Sequence, residues 1–196
     1  MKRPRKQDPP TAEKILDAAS PLFYRRGLAA VTLDEIAASA RMTKRTLYYH
    51  FPSKDDLILA YLQRWRERRH ETLKEDADGP GLARLLAAFR GLEQEVSRPE
   101  FRGCPFVNAV AELNDRTHPA TALAIAYKEE RRAWFERLLR KGGISRASKL
   151  SEQVMALWEG AVVRALISGD AKPVRDARDA VSTLLRAEAS SISPER

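Results

Sequence analysis

The ten residues from Arg41 to His50 carry three basic side chains and no acidic one, interspersed with the hydroxyls and rings of Thr43, Thr46, Tyr48 and Tyr49. Such groups hydrogen-bond phosphate oxygens and base edges, and lysine and arginine do so with charge assistance. Nothing of equal weight points to covalent chemistry. The sequence has no glycine-rich phosphate loop and no trio of nucleophile, base and orienting group, and His50, His70 and His118 lie too far apart for metal-ligand spacing. An enzyme, a cofactor and a metal are therefore not expected. Cys104 is the single cysteine, so an intrachain disulfide is excluded and a reducing compartment fits.

The elements that must position these groups are helices. Thr32 with Glu35 three residues on is a capping box, opening a short helix with Leu33, Ile36, Ala37 and Ala40 turned inward. After Arg41-Met42, Thr43 caps a second short helix that Pro52 terminates, with Leu47 and Phe51 left for the core. Two short helices across a tight turn make a helix-turn-helix, in which the first braces the second against the major groove. A helix capped by Thr11 precedes them, with Ile15, Ala18, Ala19, Leu22 and Phe23 on one face, a kink or distorted turn at Pro21, and a stop at Gly27. Ser53 with Asp56 opens a long helix through Tyr61 and Trp65 toward Asp76, which Gly79-Pro80-Gly81 breaks. Further helical patterns follow from Leu82, from Pro105 to Leu113, from Ala120 to about Arg140, from Leu150 to Gly169 and from Pro173.

The expected architecture is all-α, with about nine helices: a three-helix N-terminal head and a C-terminal helical body for ligand binding and dimerisation. Residues 1–10 read as a basic arm without a fold of its own, 11–53 as the head, 54–189 as the body and 190–196 as a frayed tail. Lys2, Arg3, Arg5 and Lys6 of the arm either enter a minor groove or are simply an unstructured terminus. The net charge of +8, from 35 basic and 27 acidic residues, favours a polyanionic partner. No apolar run reaches the roughly 18–20 residues that span a bilayer, and no apolar signal core follows the basic start, so a cytoplasmic location is expected and a membrane partner is not.

The string Thr32-Leu33-Asp34-Glu35-Ile36-Ala37, then Thr43-Lys44-Arg45-Thr46-Leu47-Tyr48-Tyr49-His50-Phe51, then Ser53-Lys54 and Leu57, resembles the TetR family of transcriptional regulators. The clear likeness covers about residues 11–62; beyond it only helix number and rough lengths agree. The resemblance implies a regulator, most often a repressor, that binds double-stranded palindromic operator DNA and is released by a small-molecule effector. It places Lys44, Arg45, Thr46 and Tyr48 toward bases, and Thr32, Thr43, Tyr49, His50 and Lys54 toward the DNA backbone. It also implies that the long helix from Lys54 tilts when ligand binds, so that two recognition helices lose their spacing of about 34–36 Å. Arg41 departs from the family's usual glycine at the turn, where a left-handed backbone suits glycine better by roughly 1 kcal/mol. The rival reading is a basic helical protein that coats nucleic acid without sequence preference.

One helix-turn-helix contacts few bases, so a homodimer reading two half-sites is expected. The last two helices offer candidates for its interface: Gly160, Ala161 and Ala165 permit close approach, and Leu157, Trp158, Val162, Leu166, Val181 and Leu184 supply apolar area. The alternative is that these residues close the monomer core. Effector-pocket candidates are Tyr61, Trp65, Phe89, Cys104, Phe106, Tyr127 and Trp134, with Asn108 and Glu112, four apart on one helix, as polar anchors; the alternative for Glu112 is exposure at the surface. Cys104, at a predicted helix start and near Arg102, is either a reactive sensor or an inert packed thiol.

Overall fold

The computed structural model describes residues 10–75 and 80–190. Among them are nine α-helices and no strand: α1 (Thr11–Arg26), α2 (Leu33–Ser39), α3 (Lys44–His50), α4 (Lys54–Glu75), α5 (Gly81–Val96), α6 (Pro105–Leu113), α7 (Pro119–Lys141), α8 (Ala147–Ser168) and α9 (Lys172–Ser190). The expected arm, save Pro10, and the tail beyond Ser190 lie outside the described residues.

Packing divides the described chain into two units. One unit holds everything described up to Trp65 together with Pro105–Ala124, and the other holds Arg66–Cys104 with the chain from Ile125 onward. The unit boundaries fall within α4 and α7, so both helices are shared, while all of α6 belongs to the first unit.

In the first unit, Ile15, Ala19 and Phe23 of α1, Ile36 and Ala37 of α2, and Leu47 of α3 are buried on a common core. Leu57, Ile58, Tyr61 and Leu62 of α4 join it, with Phe23 and Tyr61 rings 5.6 Å apart. Each large apolar side chain removed from water in this way contributes roughly 1.5–3 kcal/mol before ordering costs. One expectation at α1 is corrected: Pro10, not Thr11, occupies the N-cap, and Thr11 is the first helical residue, without a side-chain cap. The helix runs through Pro21 to Arg26 and stops at Gly27, as expected. Pro21 is exposed and forfeits one backbone bond, while Ala19 and Phe23 on either side hold the buried face in place.

In the second unit, α5 packs on α8 and α9, and α8 packs on α9. Their shared core includes Leu85, Phe89, Leu92, Phe135, Val154 and Val181, all nearly or wholly withdrawn from water. Gly81, expected as part of a break, is the first residue of α5. A Cβ there would stand 2.2 Å from the carbonyl oxygen of Leu138, so only glycine lets the start of α5 approach α7 so closely.

Candidate functional site

The helix-turn-helix is built from local hydrogen bonds. The Thr32 hydroxyl accepts from the Glu35 N–H at 3.2 Å, and the Glu35 carboxylate accepts from the Thr32 N–H at 2.9 Å, completing the capping box. Glu35 also pairs with Arg26 at 2.8 Å. Hydrogen bonds from the Thr32 backbone, then the Arg26 and Thr32 side chains, hold the Glu35 carboxyl down at about 2. At the turn, Arg41 adopts φ +55°. Its N–H donates to Ala38 O at 3.0 Å while the Met42 N–H donates to Ala37 O at 2.9 Å, closing the end of α2. An arginine thus holds the left-handed position that glycine holds more cheaply.

Beyond the turn, Thr43 caps α3 by accepting from the Thr46 N–H at 3.1 Å, and the two threonine hydroxyls lie 2.9 Å apart. Leu47 is fully buried and Phe51 nearly so, which fixes the rotation of α3. Lys44, Arg45, Tyr48 and Tyr49 are consequently exposed, and Thr46 and His50 half-buried. Tyr49 is 83% exposed, a large aromatic surface for which the fold itself has no use. Lys44 reaches Asp34 of α2 at 2.6 Å across a solvent-exposed pair that costs little to open. Lys54 donates to the carbonyl of Ala29 at 3.2 Å, so it also fastens the start of α4 to the loop after α1.

Sequence reasoning missed the principal support of that loop. The Glu112 carboxylate of α6 accepts from the N–H groups of Leu28 at 2.5 Å and Ala29 at 3.1 Å. Gly27, at φ +89°, leaves room for it: a Cβ there would stand 2.9 Å from Glu112 Oε2. Glu112 is exposed, the surface alternative, and its carboxylate turns to the loop after α1 rather than to Asn108. No local pattern could have shown this, because its partners lie 83 and 84 residues away.

A braced, acid-free helix with exposed basic and aromatic groups at its start is a surface for nucleic acid. Residues 15–61 match the model of bacterial regulatory proteins of the tetR family, and residues 81–181 match that of the tetracyclin repressor-like C-terminal domain. The chain belongs to the TetR family. It is a DNA-binding transcriptional regulator by kinship, similar to the HTH-type transcriptional regulator LmrA of Bacillus subtilis at 28% identity, over 89% of this chain and 96% of that protein. TtgR of Pseudomonas putida is 27% identical over 61% of this chain and 63% of its own length. Among solved structures, SCO4454 of Streptomyces coelicolor, a TetR-family transcriptional regulator, superposes with a TM-score of 0.85 and 28% identity, covering 91% of this chain and 95% of that one. E. coli NemR in its reduced form gives 0.79 at 25% identity, over 88% and 96% of the two chains.

The remaining TetR-family candidates divide between the two units. In the first, Tyr61 and Phe106 are buried, Trp65 packs on Tyr24 with ring centroids 5.5 Å apart, and Asn108 is half-buried. In the second, Phe89, Trp134, Phe135 and Trp158 form one aromatic cluster, with Phe89 and Trp158 5.1 Å apart and Trp134 and Phe135 5.2 Å apart. Tyr127 is buried, and half-buried Cys104 packs against the core. Arg69 and Lys128 both lie within electrostatic range of Cys104 and Tyr127.

The interface candidates separate by face. Ala161, Val162, Ala165 and Val181 are buried within the single chain, and half-buried Leu157, Trp158 and Leu184 pack against the same core. Gly160 is exposed, as are Leu166 and its neighbours Val163 and Ile167, the last 72% open to solvent. Between α8 and α9 runs a groove of about 540 Å³ lined by Leu157, Gly160, Ala161, Pro173 and Ala180 among others. No described helix is long and apolar enough to cross a membrane, and no described group of three or more His, Cys, Asp or Glu is placed to hold a metal.

Proposed function

We propose that this TetR-family regulator represses transcription as a homodimer that binds a palindromic operator in the cytoplasm and leaves it when a small, largely apolar effector enters the second unit. The observation that carries the reading is the rotation of α3: with Leu47 buried, Lys44, Arg45 and Tyr48 face outward from a helix whose start Thr43 caps. On this reading Lys44, Arg45, Thr46 and Tyr48 meet base edges, while Thr32, Thr43, Tyr49, His50 and Lys54 hold phosphates. Two copies are required for two half-sites, and the apolar strip of Val163, Leu166 and Ile167 beside Gly160 supports α8 as the helix through which they join.

Selecting bound duplexes from fragmented genomic and random DNA tests the reading. A symmetric site preferred over random duplex by about a thousandfold or more at physiological salt is expected. Equal affinity for all duplexes, with only a steep salt dependence, would leave a coating protein instead. Light scattering tests the dimer: Ile167→Glu is expected to give a monomer that retains its fold and loses the operator.

A further inference from the structure

We propose that the second unit holds an anion subsite at Arg131, and that the effector is an aromatic carboxylate; this deepens the regulatory reading above and rests on it. Arg131 is only 7% exposed. Its side chain donates one hydrogen bond, from Nη2 to the Tyr127 hydroxyl at 2.7 Å, and its Nε is buried without a partner. The guanidinium lies 5.0 Å from the ring of Trp158, 5.7 Å from that of Tyr127 and 5.9 Å from that of Trp134. None of the described carboxylates pairs with it.

The surrounding charge is unbalanced. Arg69 pairs with Glu95, and Lys128 pairs with Glu159 at 2.8 Å. Both cations are held above their ordinary range: burial works against each, and the Coulombic and hydrogen-bonding pull of neighbours, Glu95 for Arg69 and Cys104 and Glu159 for Lys128, outweighs it. Tyr127 stands near all three cations, and among the described residues Arg69 and Lys128 each pair with a carboxylate whereas Arg131 does not. A buried charge without a counterion is costly, and the faces of three aromatic rings offset only part of that cost. A carboxylate supplies what is missing: an acceptor for Nε and a charge for the guanidinium, in the forked geometry arginine favours. The rings that flank Arg131 suit a planar body attached to that carboxylate, by stacking and edge contacts.

The experiment measures binding without DNA, through the fluorescence of the tryptophans, two of which border Arg131. Benzoate and 2-naphthoate are titrated into the full chain, each beside its own neutral amide. Saturable quenching is expected, with at least one acid favoured over its amide by about tenfold or more. Arg131→Gln should abolish that preference, and Arg131→Lys should retain part of it; thermal melting establishes that both variants fold. If no acid binds better than its amide, or if the preference survives in Arg131→Gln, the proposal is overturned. Operator binding with and without saturating acid is a separate measurement. An acid that binds through Arg131 without weakening operator binding would refute the effector role. Failure to select any operator would refute the regulatory reading while leaving the subsite standing.

Discussion

Replacing Glu112 is the sharpest perturbation of how α6 is built into the first unit. Its carboxylate accepts two backbone N–H groups, from Leu28 at 2.5 Å and Ala29 at 3.1 Å. Leu28 is 4% exposed, so in Glu112→Ala its N–H is left without an acceptor in a place water reaches poorly. A hydrogen bond to a charged group contributes about 1.5–3 kcal/mol, and the exposure of the Glu112 end reduces the pair together to about 1–2 kcal/mol. For a chain of this size that lowers the melting temperature by about 2–8 °C. Hydrogen exchange gives the finer readout: the Leu28 and Ala29 amides should lose protection in Glu112→Ala, while the core of the second unit keeps its own. Gly27→Ala offers a cross-check, because a Cβ 2.9 Å from the same carboxylate at φ +89° must both strain the backbone and push Glu112 away. The two substitutions should therefore be less than additive. Unchanged melting and unchanged protection at Leu28 in Glu112→Ala would refute the assigned role.

Arg41→Gly should raise stability by about 1 kcal/mol, since φ +55° suits glycine better, and a chemical denaturation midpoint that falls instead would show that the arginine side chain contributes more than its backbone costs. Lys44→Ala and Arg45→Ala should relax base preference by about 1–3 kcal/mol at individual operator positions, read by competition with single-base variants. Lys54→Ala should weaken all sequences alike and also loosen the loop at Ala29. The capping box should fail in acid: the Glu35 carboxyl titrates at about 2 against an ordinary 4.5, so its contribution is complete above pH 4.5 and disappears as pH falls toward 2. Circular dichroism of Glu35→Gln against the parent should show the two converging over that window.

What could be read from sequence was local. Thr32 with Glu35 and Ser53 with Asp56 specify helix starts within four residues, and both pairs make the bonds their spacing implies, at 3.2 and 2.9 Å for the first and 3.1 and 3.0 Å for the second. Leu47 was legible as the buried position of α3 for the same reason. Direction was harder to read. Val162 and Val163 are adjacent and equally apolar, yet one is buried and the other 45% exposed, because the packing of α8 on α9 sets the rotation of the helix. Arg131 and Arg132 are likewise indistinguishable in the charged run of α7. Arg132 turns to Glu129 and Glu136 on its own helix, whereas Arg131 turns into aromatic rings from α7 and α8. Such choices depend on partners distant in sequence, as the contact of Glu112 with Leu28 does.

The way the chain is divided bears on how an effector could act. Tyr127 and Arg131 stand three and seven residues beyond Ala124, where α7 leaves the first unit. At 1.5 Å per residue that is about 5 and 10 Å along one continuous helix. On the proposed reading, a ligand that draws Arg131 toward itself acts on α7, the helix whose first residues, to Ala124, belong to the first unit. Glu112 holds the loop between α1 and α2, the helix that braces α3, and under that proposal it is the link by which α6 acts on that helix. On the proposed reading, Glu112→Gln should thus reduce the response of operator affinity to effector more than it reduces operator affinity itself. A variant that binds the operator more weakly but responds to effector by the full wild-type factor would mean that the signal travels by α4 alone.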